Sequence, residues 1–151
     1  MKVSTRLMDE WTPKATTTHQ DHVIAHVIGA TVLGFFIHDQ ALYLLLDIGF
    51  IWTIYVDGEM ALLPHPVATS ELEIDEGVRV EIRSEIDRLL ADGWSTEGLL
   101  RLTLAPVECI IRDVSLYTNN DQRQLILTGE DANMVVGTSV TTGEITVMSE
   151  A

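Results

Sequence analysis

The stretch TVLGFFIHDQALYLLLDIGFIWTIYVDGEMALL, Thr31 to Leu63, decides the fold. Three turn-forming clusters cut it: His38-Asp39-Gln40, Asp47-Ile48-Gly49 and Asp57-Gly58-Glu59. Short β-branched, leucine-rich and aromatic runs lie between them. Such runs between Asp/Gly punctuation are strands joined by tight turns. The pattern predicts an antiparallel meander with strands near 31–37, 41–47, 50–56 and 59–63. Both faces of these strands are apolar. Leu42, Leu44 and Leu46 alternate with Tyr43 and Leu45, and Phe50, Trp52 and Ile54 alternate with Ile51, Thr53 and Tyr55. A solvated sheet face would alternate with polar residues, so both sides are expected to be covered.

Toward the N-terminus, residues 1–16 read as a loosely ordered arm ending at Pro13 and the threonine run at 16–18. A helix is expected at 18–28, with Thr18 as its cap and Asp21 as the reciprocal partner. Val23, Ile24, Val27 and Ile28 recur at helical spacing, and Gly29 supplies the stop. A strand is the alternative, because Val and Ile are β-branched. Toward the C-terminus, Pro64-His65-Pro66 predicts an extended break. A second helix is expected near 76–92, from Val78, Ile82, Ile86, Leu89 and Leu90, ending at Gly93. Ser84 with Asp87 would cap a shorter version. The rest reads as strand: an alternation at 100–104, then hairpins from 109–117 with 122–128 and from 134–140 with 144–148. The fold class is α+β, a mostly antiparallel sheet with two helices. With no linker, repeat or low-complexity run, residues 1–151 are expected to form one domain. A chain of this length buries about 70% of its unfolded surface, enough for a core without staples.

The chain carries 23 acids against 9 bases, a formal net charge of −14. Residues 1–14 hold three bases and two acids, residues 15–78 hold nine acids and no base, and residues 79–151 hold twelve acids and six arginines. Phosphate backbones need Lys and Arg, so nucleic acid is not an expected ligand. The longest apolar run, Ala41–Val56, is short of the roughly 20 residues of a membrane span and contains Asp47. No membrane partner is expected. A lone cysteine, Cys109, excludes an internal disulfide. With no apolar core of a signal peptide in residues 1–10, a cytoplasmic location is the expectation.

His19-x2-His22-x3-His26 is the first candidate for chemistry. On a helix the three imidazoles fall within about 60° of arc and could share a transition metal. On a strand His22 and His26 would lie about 13 Å apart. The triplet faces away from the apolar stripe and contains no glutamate base, so the bland expectation is a polar helix face and no resident cofactor. His38 falls in a turn, and His65 lies between prolines. Asp47 and Asp57 adjoin Gly turns, where carboxylates bond to local backbone. Cys109 sits in an apolar strand as an inert thiol. Arg101, Arg112 and Arg123 could share one sheet face, with pairing to acids as the expected use.

The function expected from these residues is a non-enzymatic, acidic protein-binding module, of the inhibitor or immunity type, with a basic partner protein. The alternative is a metal-binding protein or metal-dependent enzyme built on His19, His22 and His26. A further alternative is a small-ligand pocket between sheet and helix, lined by Phe35, Trp52 and Tyr55. Two-sided apolarity also predicts a homodimer, with Tyr43, Leu45, Ile51 and Tyr55 at the contact.

Overall fold

The computed structural model describes residues 11–93 and 98–150. Nine antiparallel strands form one sheet: β1 (Thr12–Pro13), β2 (Thr31–His38), β3 (Ala41–Leu46), β4 (Phe50–Tyr55), β5 (Met60–Pro64), β6 (Thr103–Asn119), β7 (Gln122–Gly129), β8 (Asn133–Ser139) and β9 (Ile145–Glu150). Three helices accompany them: α1 (Thr18–Val27), α2 (His65–Ser70) and α3 (Glu76–Asp92). The strand order is β5-β4-β3-β2-β6-β7-β8-β9, with β1 beside β6. The expected meander is therefore β2 to β5, with each strand paired to the next.

β6 organises the molecule. Its first half pairs with β2 and its second half with β7 and β1. The expected strands at 100–104 and 109–117 are thus largely one strand, beginning at Thr103. Between Leu104 and Cys109 the register against β2 shifts, and Pro106 lies in that irregular stretch. A proline has no N–H to give a ladder, so a bulge is where a long strand can hold one. The two halves of the sheet face each other across a core. Leu44, Trp52 and Ile54 come from one half, Leu116, Leu127 and Val136 from the other. Thr138 Oγ1 donates to Val56 O at 2.7 Å and ties the halves together.

α1 borders this core with Val23 and Val27. Its cap is Thr17, one residue before the expected Thr18, and the reciprocal partner is Gln20 rather than Asp21. Gln20 is buried; its Oε1 accepts from Thr17 N–H and its Nε2 donates to Gly58 O. An amide can do both, whereas the Asp21 carboxylate only accepts. Asp21 instead accepts from Thr16 Oγ1. The helix stops at Ile28, followed by Gly29 at φ +91°.

The expected N-terminal arm is corrected in its described part. Thr12 and Pro13 pair with β6, and Lys14 N–H donates to Leu116 O at 2.8 Å; residues 1–10 lie outside the described residues. The expected extended break at 64–66 is also corrected. Pro64 is the N-cap of α2 and Pro66 lies in its first turn. First-turn N–H groups have no partner within a helix, so proline costs little there. α3 begins at Glu76 behind Asp75, so Ser84 and Asp87 are mid-helix and cap nothing.

α2 and α3 cover the other face of β2–β5. Leu33, Phe36, Leu45 and Ile51 meet Ala68, Leu72, Ile82, Ile86 and Leu89 in a second core. The two-sided apolarity of the meander is thus satisfied within one chain. This removes the surface argument for a twofold contact: Leu45 and Ile51 are each 1% exposed beneath the helices. No described helix is long and apolar enough to cross a membrane.

Candidate groove on the outer face of the meander

The covered face of the meander consists of cross-strand rows. Gly34, Leu45, Ile51 and Leu63 form the first row, and Phe36, Tyr43, Thr53 and Ala61 the second. His38, Ala41 and Tyr55 form the third. α3 presses on the first row. A Cβ on Gly34 would meet Leu89 Cδ1 at 3.2 Å and Thr103 O at 2.8 Å, so only glycine permits this approach. The second row reaches Leu72, in the connection between α2 and α3. The third row is left at the margin, with Tyr55 40% exposed.

Two cavities follow from this partial cover. One, about 270 Å3, lies between Phe36 and His38 on the sheet and Ile74, Val78 and Ile82 on the helix side. The other, about 150 Å3, lies among Tyr43, Thr53, Tyr55, Ala61, Ala68 and Glu71. Leu72 lines both. Phe36 and Tyr43 stack between them, ring centres 4.7 Å apart and planes 2° from parallel. The two cavities are neighbours that share Leu72 and are divided by the aromatic stack; the pair is termed the groove.

Fixed backbone forms its walls. Glu85, 2% exposed, accepts hydrogen bonds from the N–H groups of Leu100, Arg101 and Leu102 at 2.7–3.1 Å. This clamp holds Leu100, 76% exposed, at the mouth of the larger cavity. Arg101 lines the same mouth and pairs with Glu81 at 3.1 Å. Across the groove, Arg79 donates to Leu72 O and to Glu76 Oε1, fixing the α2–α3 connection. Burial raises the Tyr43 phenol pKa above its ordinary value, and the neighbouring Tyr55 and Asp39 push it the same way.

The other expected sites lie elsewhere. His19 Nε2 bonds to Met60 O at 2.9 Å, and His26 Nδ1 to His22 O at 2.8 Å. A ring nitrogen facing a carbonyl carries the proton, which fixes the orientation of each ring and leaves its other nitrogen as the acceptor. Among the described residues no three His, Cys, Asp or Glu side chains come together to hold a metal ion. Phe35 and Trp52 point into the core between the sheet halves, while Tyr55 lies on the opposite face, so the expected three-residue pocket does not form. Tyr43 is half-buried in the groove, and Tyr55 is the most exposed of the four residues expected at a dimer contact.

His65 Nε2 is 3.9 Å from Asp87 Oδ1, too far for a hydrogen bond. Asp57 accepts from Glu59 N–H as local turn chemistry predicts, whereas Asp47 accepts from Thr31 N–H across the strand pair. Cys109 is buried, which raises its thiol pKa. Of the three arginines expected to pair with acids, Arg101 pairs with Glu81 and Arg112 with Glu130, while Arg123 donates to the carbonyls of Asn120 and Gln122. Phe36, Leu72, Glu71, Glu85 and Leu100 are the groove residues that sequence patterning missed. Only Glu85 carried a signal, as a carboxylate inside the apolar stripe of α3. The chain matches no family model, no curated protein and no solved structure.

Proposed function

We propose that this chain is a non-enzymatic binding module that seats a segment of another protein in the groove beside α3. The observation that carries the reading is the incompletely covered third row of the meander. It leaves Tyr55 and Leu100 exposed and Tyr43 half-buried beside two neighbouring cavities whose walls are hydrogen-bonded in place. Preorganised apolar grooves with aromatic anchors are where interface energy concentrates. Charge supports a basic partner. The strands and the helix α2 that bound the smaller cavity come from residues 15–78, which contain nine acids and no Lys or Arg. The same charge disfavours nucleic acid.

Selection of random peptides on phage against the folded protein tests this reading. Selected peptides should be rich in basic and apolar residues. Their affinity should fall about tenfold in Tyr55→Ala or Leu100→Asp, the loss typical of an interface anchor. Binders that map to the β7–β9 face, or that ignore both substitutions, would remove the groove from consideration. A mass twice that of the monomer in light scattering, lost in Tyr55→Glu, would instead make a second copy the occupant. A second reading has one observation of its own. The cavity of about 270 Å3 lies at the seam of sheet and helix, close in size to small-molecule sites.

A further inference from the structure

We infer that the smaller cavity is a side-chain pocket for one lysine or arginine of the bound segment, an inference that rests on the groove being the binding face. Its floor is made of small residues, Thr53, Ala61 and Ala68, which leave depth. Its walls include Tyr43 and Tyr55. Aromatic faces attract cations while accommodating the aliphatic stem of a long basic side chain. Its rim carries Glu71, which is exposed and forms no ion pair with any described residue.

The neighbouring arginines are committed elsewhere. Arg79 is held by Glu76 and Leu72 O, and Arg83 donates to Thr69 Oγ1 at 3.2 Å. The pocket therefore has a carboxylate without an ion pair at its mouth, partly exposed aromatic walls, and no cation supplied by the surrounding strands. At about 150 Å3 it is far larger than the roughly 10–15 Å3 needed for one water. An acidic side chain would be repelled by Glu71, and a purely apolar one would gain nothing from it. A basic one satisfies both wall and rim.

Heteronuclear NMR with two small probes tests this directly. The probes are N-acetyl-lysine methylamide and N-acetyl-norleucine methylamide, which differ in the charged terminus. The lysine probe should shift the amides of Thr53, Tyr55, Ala61, Ala68 and Glu71. It should bind about threefold to tenfold more tightly than norleucine, the range for a partly exposed cation–π contact with an ion pair. Glu71→Gln should reduce that preference to what the cation–π contact with the tyrosines supplies, and leave the rest of the spectrum unchanged. Equal binding of the two probes, a preference undiminished in Glu71→Gln, or no shift by either probe would each overturn the assignment. Phage-selected peptides that occupy the groove without Lys or Arg would sink the pocket and leave the groove standing. A groove that selects no peptide sinks both.

Discussion

Glu85 occupies a position where the stripe formed by Ile82, Ile86 and Leu89 calls for an apolar side chain. Its burial is sustained by three backbone donors on the segment 100–102. Hydrogen bonds to a charged group are worth about 1.5–3 kcal/mol each, and stranding the buried Leu102 N–H adds a penalty. Glu85→Ala is therefore expected to lose about 3 kcal/mol or more in urea unfolding. A loss under about 0.5 kcal/mol, ordinary for a surface site, would show that the clamp is dispensable.

Tyr43 gives a test by pH. Its folded pKa is raised, first by burial and then by Tyr55 and Asp39, so the unfolded chain releases this proton first. The folded state then binds more protons than the unfolded one, and stability declines as pH rises from about 10, the unfolded value, through the folded pKa. Tyr43→Phe should flatten that alkaline decline while leaving the slope at neutral pH unchanged. An identical alkaline slope in the variant would place the effect on other groups.

At this scale the sequence was legible where local chemistry decides, as at Asp57 and the buried Cys109, and where a residue conflicted with its pattern. Glu85 conflicted. The histidine triplet was patterned for metal, but His19 turns to Met60 O and His26 to His22 O, and among the described residues no three such side chains converge; no periodicity reveals a carbonyl partner.

The elements were more legible than the residues. The meander, α1, α3 and the C-terminal hairpins all follow from period and punctuation, because strands and helices over these lengths impose their own spacing on buried residues. What failed were features set by tertiary partners. β6 reads as two strands, because a bulge holding Pro106 interrupts its alternation while β2 and β7 hold it together. α2 has six residues, too few for a periodic signal, and its prolines read as a break until their place in the first turn is known.

Gly34 tests the contact between elements that forms the groove. It brings β2 within reach of α3 and of Thr103 in β6. Gly34→Ala puts a methyl 2.8 Å from a backbone oxygen that cannot rotate away. Overpacking of this kind costs about 1–3 kcal/mol, so the melting midpoint should fall and α3 should lift from the sheet. Amide exchange along Ile82–Leu89 should accelerate more than exchange along Leu125–Val136. Uniform acceleration would mean that the glycine acts on the whole fold rather than on this seam.

Over the whole molecule, one set of strands serves two cores. Leu44 faces the core between the sheet halves, while Leu45 faces α2 and α3. Trp52 and Ile51 divide in the same way. Neither core can open without exposing strands that the other needs, so the chain should unfold in one transition. The same geometry bears on the expected homodimer. Were Ile51 the centre of a twofold contact, Ile51→Glu would yield a folded monomer. With Ile51 1% exposed beneath the helices, the substitution instead buries a carboxylate with no partner. Burying an unpaired charge costs several kcal/mol, comparable with the whole stability of a domain, about 5–15 kcal/mol. Ile51→Glu should therefore abolish the cooperative melt followed by circular dichroism, whereas Tyr55→Glu, at the open margin, should keep the wild-type midpoint within a few degrees. An Ile51→Glu protein that melts like wild type but halves its mass in light scattering would show that α2 and α3 do not seat on this face. It would restore the twofold contact, and the groove would then be part of an interface between copies.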